Sequence, residues 1–376
     1  MSLLRRVHQL TRLDSRKILH KTLCVEAPSR SMSEHVISEP PVHSQPPSSG
    51  AFRFIDVGVN LTDPVFRGKY RGKKRHEDDM DAMMRRAESA GVASQIITGT
   101  SLSESREAAE LAKRYGHYFT IGCHPTRVAE FTAFKGGPGA YLAALDTLVA
   151  SNLKGKGRVV AIGECGLDYD RLHFASEELQ RKYFKAQLAL AKKYHLPLFL
   201  HSRAAHTDFV EILREEGFSQ DGGKAVGGKG GVVHSFTGTP DEARELMEMG
   251  FHLSINGCGL KTEDNLKAAQ AIRLDRLLLE TDAPWCSMTG GHASRQHLTS
   301  LPSTLREIYF PPSSRGPDNF IAGKAVKGRN EPCAIGGVAW VMHQLHPESD
   351  FGDLVSRAFT NTCELFELDE NAETSI

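Results

Sequence analysis

Four side chains that can bind a divalent metal ion each follow a separate apolar run of the sequence. They are Glu164 after "RVVAIG", His201 after "PLFL", His234 after "GVV" and Asp282 after "RLLLET". Two neutral imidazoles and two carboxylates form a nitrogen and oxygen site suited to Zn²⁺, Mn²⁺, Co²⁺ or Mg²⁺. One histidine at the end of a strand is more often structural, so the hypothesis requires that all four side chains meet at one point.

Eight apolar runs, separated by stretches with helical periodicity, would position these side chains. They are FRFIDVGV (52–59), ASQIIT (93–98), YFTIGC (118–123), RVVAIGE (158–164), PLFLH (197–201), GVVHS (231–235), FHLSI (251–255) and RLLLETD (276–282). Strands that alternate with helices predict an α/β fold, a closed (β/α)8 TIM barrel. Reactive groups of such a barrel collect at the C-terminal ends of its strands, so Asp282 reaches the mouth while the leucines before it are buried.

The composition is that of a chain that can bury a large core. It has 376 residues, of which 40% are hydrophobic and 24% charged. No apolar run approaches the ~20 residues of a membrane-spanning helix, so we expect no membrane association. The seven cysteines contain no C-x-x-C pair, which argues against a disulfide framework or a structural zinc site and favours a reducing compartment. We take the chain to be a monomer.

The first segment of the chain is basic and amphipathic. Residues 1–24 hold six arginines and lysines against one acidic residue, Asp14, with apolar residues at helical spacing. This composition is typical of a transit peptide, and we predict import into mitochondria. The alternatives are a plastid signal, or a basic tail that targets nothing and leaves the protein in the cytoplasm or nucleus. A Pro- and Ser-rich linker follows, and the leader and linker together occupy residues 1–50. The barrel domain is predicted for residues 51–370, and a short tail for residues 371–376.

Six motifs occur in a fixed order along the chain. They are "GECGLDY", "LPLFLHSR", "VVHSFTG", "ETDAPW", "GRNEP" and "NTCELF". From about Phe54 to Leu368 this series resembles the TatD family of metal-dependent deoxyribonucleases. The resemblance implies a TIM-barrel phosphodiesterase of the amidohydrolase-like group, with the four residues named above as metal ligands. It also implies that the protein is a 3′–5′ exonuclease and that its substrate is single-stranded DNA or the 3′ ends of DNA.

The end of the first strand departs from the pattern of many relatives, which have D-x-H-x-H there. The matching stretch, IDVGVNLTD, keeps Asp56 but has Gly58 and Asn60 at the histidine positions. It resembles the narrower branch that includes TatD itself and its eukaryotic counterparts. With fewer nitrogen ligands, the site suits hydrated Mg²⁺ better than tightly held Zn²⁺. Asn60 could still lend its amide oxygen to the site, or it could cap its own loop.

Hydrolysis of a phosphodiester requires that the catalyst neutralise the phosphate charge, generate hydroxide near pH 7 and stabilise the departing oxygen. Two cations about 3.5–4 Å apart meet all three needs. We predict that Glu164 bridges two divalent ions and that His201 and His234 hold one of them. Asp282 would bind the other ion while it orients or deprotonates the water.

Two residues next to the predicted ligands each have two interpretations. His124, which follows the third strand in "GCHP", could hydrogen-bond the phosphate or donate a proton to the leaving oxygen. It could equally be a structural histidine. Arg203 could clamp the phosphate with its planar guanidinium, or it could form an ion pair with Asp168.

Two basic segments bear on the substrate. The first, "RGKYRGKKR" (67–75), follows the first strand and would rise on the catalytic face. The second lies after the eighth strand and contains Arg295, Arg306, Arg315, Lys324, Lys327 and Arg329. Cations beside a metal centre favour a polyanion, and Tyr70 could stack on a base, although a solvated charged surface is the alternative. Because residues 25–376 carry an acidic excess, any binding of nucleic acid must be local and sensitive to salt.

Three functions are consistent with this pattern. The first is a metal-dependent deoxyribonuclease, which the resemblance implies and the basic segments favour. The second is a metal-dependent hydrolase of a small amide, ester or nucleotide, because the same barrel supports those reactions. The third is a partner-binding protein on a decayed barrel, which the presence of ligand residues at four strand ends disfavours.

Overall fold

The computed structural model describes residues 52–369, and its central feature is an eight-stranded parallel sheet. The strands are β1 Phe54–Val59, β2 Val92–Ile97, β3 Tyr118–Ile121, β4 Val159–Asp168, β5 Leu198–Arg203, β6 Gly231–Val233, β7 His252–Ile255 and β8 Leu277–Leu279. Two small sheets lie outside it, Lys69–Tyr70 with Lys73–Lys74 and Ser313–Ser314 with Ala325–Val326. Each strand of the large sheet pairs in parallel with the next along the chain, which confirms the predicted (β/α)8 barrel.

The first and last strands of the barrel meet at their C-terminal ends. There the amide of Asp282 donates to the carbonyl of Gly58, and the amide of Asn60 donates to the carbonyl of Ala283, both at 2.8 Å. All residues of β1 and β8 are buried, as expected for strands that face the barrel interior on one side and helices on the other. This closure places Asn60 directly beside Asp282.

Helices connect the strands and cover the barrel, and several more follow β8. They are α1 Met80–Ser89, α2 Leu102–Tyr115, α3 Ala129–Ala133, α4 Gly137–Asn152, α5 Glu177–Tyr194, α6 His206–Glu215, α7 Pro240–Glu248, α8 Glu263–Gln270, α9 Arg295–Leu298, α10 Ser303–Tyr309, α11 Ile335–Leu345 and α12 Phe351–Phe366. In α5 the side chain of Ser176 caps the helix by accepting from the amide of Leu179. Phe184 and Leu188, four residues apart on one face, are fully buried in the core.

The segment after β1 packs against the segment after β8. The imidazole of His76 stacks on Phe320, with 4.3 Å between the ring centroids. On the surface, Nη1 of Arg75 lies 2.8 Å from Oδ1 of Asp318. The two basic segments predicted from the sequence are therefore neighbours in the fold.

Arg329, which belongs to the second basic segment, is buried. Its guanidinium donates to both carboxylate oxygens of Asp79, at 2.7 and 2.6 Å, and to Glu331 at 2.8 Å. Arg86 completes the cluster with an ion pair to Glu331 at 2.7 Å. Because the side chain of Arg329 is only 1% exposed, its assignment to a nucleic-acid-binding surface is wrong.

Some predictions fall on parts of the chain that are not described. Within residues 52–369, no helix combines the length and hydropathy needed to cross a membrane. The predicted leader and linker, residues 1–50, and the predicted tail, residues 371–376, lie outside this range. The assignments made for them therefore stay predictions.

Candidate active site

The carboxylate of Glu164, on β4, lies at the centre of three histidines. Its Oε1 atom is 2.8 Å from Nε2 of His234 and 2.9 Å from Nδ1 of His201. Nε2 of His124 lies 3.3 Å from the same oxygen. Since His124 follows β3, His201 lies on β5 and His234 follows β6, four consecutive strands direct their side chains to one point.

Burial and charge act in opposite directions on this group. Burial alone raises the pKa of Glu164, but His234 and His124 outweigh it and hold the pKa well below its ordinary value. Burial lowers the pKa of His234, but the carboxylates of Glu164 and Glu280 outweigh burial and raise the pKa well above its ordinary value. The pKa of His124 is lowered, chiefly by burial. Near pH 7, Glu164 is therefore ionised and His124 neutral, whereas His234 carries a proton that it must release before it can bind a metal ion.

The contacts of His201 call for positive charge at this point, either on the ring itself or on a bound metal ion. Its Nδ1 lies 2.9 Å from Glu164 and its Nε2 lies 3.0 Å from Asp168. A neutral imidazole carries a single N–H, so one of the two nitrogens directs a lone pair at a carboxylate oxygen. The metal-binding atoms of His124, Glu164 and His201 lie within 4.8 Å of one another. Two imidazoles and a carboxylate at this spacing fit a divalent ion, which would remove that repulsion.

Asp168 orients His201 from behind. It is the last residue of β4 and is fully buried, and its Oδ2 lies 3.0 Å from Nε2 of His201. Burial raises the pKa of Asp168, but His201 and Arg171 outweigh burial and lower it to about 2. A carboxylate on the far nitrogen of a ligating histidine fixes the ring and raises its basicity.

Glu280 occupies the corresponding position behind His234. Its Oε1 lies 3.6 Å from Nδ1 of His234, and its two oxygens accept from Ser254 and from the amide of Asn256, each at 2.7 Å. Glu280 was not predicted as a site residue. The available signal was its spacing, because a residue two positions before Asp282 in an extended segment points to the same side.

Asp282, which follows β8, lines the same cleft as His201 at the C-terminal end of the barrel. Its Oδ1 accepts from the amide of Asn60 at 2.8 Å, and its Oδ2 accepts from the thiol of Cys286 at 3.2 Å. Burial raises the pKa of Asp282 to about 6, so the carboxylate is ionised near pH 7. The sequence left two roles open for Asn60, a metal contact or a cap on its own loop. In the structure its side chain instead donates to Asp282.

Two further buried side chains hold the segment around Asp282. Asp56 accepts from the amide of Thr281 at 2.9 Å and from its hydroxyl at 2.5 Å. Asn330 donates from its side chain to the carbonyl of Thr281 at 2.9 Å and from its backbone to the carbonyl of Pro284 at 3.0 Å. The "GRNEP" motif was noted in the sequence without a role, and its contact with this segment now supplies one.

An open cleft of about 620 Å³ lies over the site. The four predicted ligands line it, together with His124 and Asn60. Trp285 stands at its edge with 55% of its surface exposed. Among the described residues, the lining includes Pro64 but none of the six cations of residues 67–75, so that segment is set back from the metal-binding group.

Three arginines line this cleft, Arg127, Arg171 and Arg203. Nε of Arg203 lies 3.0 Å from Asp170 rather than Asp168, which pairs with Arg171 instead. The alternative ion pair considered for Arg203 therefore had the wrong partner. Because about half of the Arg203 side chain is exposed, this ion pair is weak and the guanidinium could turn to a phosphate.

A larger cavity of about 730 Å³ lies beside the cleft. The two share Ser202 and Thr237 in their linings. The larger cavity contains none of the four predicted ligands, and acidic residues such as Glu242 and Asp264 line it. The chemistry is therefore placed in the smaller cleft.

Comparison with known sequences agrees with this geometry. A family model described as TatD related DNase matches residues 55–367. Deoxyribonuclease Tat-D of Schizosaccharomyces pombe is 46% identical over 284 residues, which are 75% of this chain and 86% of the relative. The 3′-5′ ssDNA/RNA exonuclease TatD of Erwinia tasmaniensis is 34% identical over 319 residues, which are 84% of this chain and 100% of the relative.

Solved structures show the same barrel. An uncharacterized amidohydrolase from Saccharomyces cerevisiae superposes with a TM-score of 0.76 at 33% identity, over 84% of this chain and 100% of the other. A TatD family hydrolase from Entamoeba histolytica superposes with a TM-score of 0.73 at 31% identity, over 84% of this chain and 98% of the other. Both similarities extend over nearly the whole described range.

Proposed function

The chain belongs to the family of TatD-related deoxyribonucleases, and from this premise we propose that it removes nucleotides from the 3′ end of single-stranded DNA with the help of divalent metal ions. The observation that carries the proposal is the convergence of three imidazole nitrogens on Oε1 of Glu164 in a cleft that also contains Asp282. The 3′–5′ polarity and the single-stranded substrate come from the names of bacterial relatives.

The proposed ligands divide between the two sides of the cleft. Glu164 would bridge two divalent ions, with His201 and His234 on one of them and Asp282 on the other. His124 supports this group: its Nδ1 accepts from the amide of Thr126, so the neutral ring carries its proton on Nε2, 3.3 Å from Oε1 of Glu164. When bound, such ions neutralise the phosphate and lower the pKa of water. We propose Mg²⁺ for both sites, with Mn²⁺, Zn²⁺ and Co²⁺ as the alternatives.

The protein's own groups prepare the site for a phosphodiester. Asp282, ionised near pH 7, is placed to accept the proton of the attacking water at one of its carboxylate oxygens. The amide of Asn60 fixes the orientation of that carboxylate. Asp168 hydrogen-bonds His201 and keeps it in place as a ligand, while the carboxylate of Glu280 places negative charge 3.6 Å from Nδ1 of His234.

The rim of the cleft favours a single strand. Arg127, Arg171 and Arg203 give it guanidinium groups that can contact phosphates. Trp285, exposed at the edge, offers a flat aromatic surface on which an unpaired base can stack. A base within a duplex is already stacked and paired, so this contact is open only to an end or a single strand.

The experiment compares two labels on one single-stranded oligonucleotide. A 3′–5′ exonuclease releases a 3′ label at once as a mononucleotide, whereas a 5′ label shortens through a ladder. We expect this pattern with Mg²⁺ or Mn²⁺, and none after chelation. Glu164→Gln should abolish it, while the matched control Glu88→Gln, at an exposed position, should not.

Two outcomes would contradict the proposal. If the oligonucleotide stays intact while the wild-type protein cleaves a small ester or amide, the hydrolase of small molecules is favoured instead. If Glu164→Gln degrades DNA as fast as the wild type, the nuclease activity does not come from this cleft.

We also propose that the leader directs the protein to mitochondria. The support is its composition, with six basic residues and one acidic residue in residues 1–24. A fluorescent fusion of the full chain should colocalise with mitochondria, and one that begins at residue 51 should not. Equal distribution of both fusions would contradict this proposal.

A further inference from the structure

Two cysteines lie side by side at the rim of the cleft. The sulfur atoms of Cys258 and Cys286 are 2.7 Å apart, and both residues are partly exposed and line the cleft. Neither residue has a place in the proposed hydrolysis. Cys286 also donates its S–H to Oδ2 of Asp282 at 3.2 Å, so the pair is connected to the proposed active site.

The backbone, rather than side-chain flexibility, brings these thiols together. Cys258 begins a short helical turn after β7, and its amide donates to Oδ1 of Asn256 at 2.8 Å. Gly257 packs against the loop after β8 so closely that a Cβ there would lie 2.0 Å from the carbonyl oxygen of Cys286. The glycine therefore permits a backbone contact that holds the two cysteines in register.

Cys286 occupies an uncommon backbone conformation. Its φ angle is 52°, in the left-handed region that glycine adopts most readily and that costs other residues energy. A thiol is nevertheless placed there, directed at both Cys258 and Asp282. The conformation is the one that points the sulfur into the cleft.

We propose that Cys258 and Cys286 are an oxidation site, at which hydrogen peroxide converts the two thiols to a reversible disulfide. The sulfur of Cys258 attacks one peroxide oxygen, the O–O bond breaks, and a sulfenic acid and one water form. The sulfur of Cys286 then attacks the sulfenic sulfur, the S–O bond breaks, and hydroxide leaves with the thiol proton as a second water. Two thiols lose two electrons, and the peroxide is reduced to two waters.

Cys258 is suited to react first. Arg203 and Lys261 place positive charge near its sulfur, which favours the thiolate against the opposing effects of burial and of the Asp282 carboxylate. A thiolate is the nucleophile in peroxide reduction. Disulfide formation requires only that the sulfurs approach from 2.7 Å to roughly 2.05 Å.

Oxidation would affect the proposed active site by removing one hydrogen bond to Asp282. The disulfide consumes the S–H that Cys286 donates to Asp282, so that among residues 52–369 the side chain of Asn60 remains as the hydrogen-bond donor to this carboxylate. Loss of a partner behind a metal ligand typically lowers activity by roughly 10-fold or more. The effect on activity rests on the proposed nuclease function, whereas disulfide formation does not.

The test treats the magnesium-loaded protein with hydrogen peroxide, blocks free thiols with N-ethylmaleimide and identifies cross-linked peptides by mass spectrometry. We expect one peptide pair that joins Cys258 to Cys286, and its loss after dithiothreitol. Nuclease activity should fall by roughly 10-fold with peroxide and return with the reductant. The matched control Cys333→Ser, at a buried thiol, should respond like the wild type.

Cys258→Ser tests whether Cys258 is required for the cross-link and for the loss of activity. Each variant is compared with itself before and after oxidation, so an effect of the substitution on basal activity does not enter the comparison. It should form no cross-link, and peroxide should cause no loss that the reductant reverses. Two results would overturn the proposal. One is sulfinic acid on Cys258 without any disulfide, and the other is free thiols at both positions after treatment with peroxide. If the reduced protein shows no nuclease activity, the proposed function fails, while the peptide map still decides whether the disulfide forms.

Discussion

The side-chain amide of Asn330 donates to the backbone carbonyl of Thr281 at 2.9 Å, across a sequence separation of 49 residues. This bond and the backbone bond from Asn330 to Pro284 hold both sides of Asp282. Asn330 is itself fixed, because its neighbours Arg329 and Glu331 belong to the buried cluster with Asp79. The segment that carries a proposed metal ligand is thus anchored to the core of the protein.

Asn330→Ala should loosen this segment. The buried carbonyl of Thr281 would lose its partner, which costs about 1 to 3 kcal/mol in the free energy of unfolding. We expect kcat to fall by roughly 10-fold or more, because Asp282 would lose its fixed position. Urea denaturation and the nuclease assay measure the two effects.

The matched control for this substitution is Asn319→Ala, at an exposed position of the segment after β8. It should leave both stability and kcat near those of the wild type. If Asn330→Ala behaves like this control, the "GRNEP" motif does not position Asp282.

The strands of the barrel could be predicted because buried parallel strands are apolar on both faces and therefore form continuous runs. The last run shows where this signal ends. "RLLLETD" contains β8 only as far as Leu279, and Glu280 follows it with one more backbone bond, from its amide to the carbonyl of Ile255. An apolar run identifies a buried strand, but backbone pairing decides its last residue.

The contacts between distant residues could not be predicted in the same way. Arg329 reads as part of a basic loop, and only its partner Asp79, 250 residues earlier, makes it a core residue. Asp56 was used to align a motif, although it fixes Thr281 across the closed barrel. Strand ends predicted which side chains share the cleft, whereas their supports depend on how the barrel closes.

His124→Ala should weaken metal binding. Nε2 of His124 lies 3.3 Å from Oε1 of Glu164, so the neutral ring, which burial favours, would hold this metal ligand in position. We expect the affinity for Mn²⁺, measured by titration calorimetry, to fall by roughly 10- to 100-fold. The rise in Tm that Mn²⁺ gives the wild type should shrink accordingly.

The matched control for His124 is His173→Ala, at an exposed histidine after β4. This variant should bind Mn²⁺ like the wild type. Unchanged affinity in His124→Ala together with a lower kcat would instead assign His124 to proton donation or to the phosphate.

Trp285→Ala should weaken the binding of single-stranded DNA. Loss of one base-stacking contact costs about 1 to 3 kcal/mol, which raises Kd by roughly 5- to 150-fold. Fluorescence anisotropy in the inactive Glu164→Gln background measures this without cleavage, and Trp285→Phe should retain most of the affinity. Phe174 is equally exposed, at 55%, but does not line the cleft, so Phe174→Ala should bind DNA normally.

Equal losses in Trp285→Ala and Phe174→Ala would show a general effect of surface hydrophobicity rather than stacking at the cleft. The same assay over a range of salt concentrations separates stacking from charge. Affinity should fall with salt to a similar degree in the wild type and in Trp285→Ala, because the phosphate contacts are unchanged.

Asp56 makes the stability of the fold depend on pH. Burial raises its pKa from the ordinary value of 3.8 to about 8, against the opposing effect of hydrogen bonds from Thr281. Between these two values the folded protein keeps a proton that the unfolded chain has lost. The free energy of unfolding therefore decreases as pH rises through this interval, by up to about 1.4 kcal/mol per pH unit from this group alone.

Asp56→Asn should remove this dependence, because an amide reproduces the protonated carboxyl. Its oxygen can accept from the amide of Thr281, and its NH₂ can donate to the hydroxyl oxygen, which already accepts from Ala283. Urea denaturation with EDTA, from about pH 5 to about pH 8, should show a flatter stability profile in the variant than in the wild type. The exposed control Asp353→Asn should keep the wild-type slope, and an unchanged slope in Asp56→Asn would mean that Asp56 is already ionised in the folded protein.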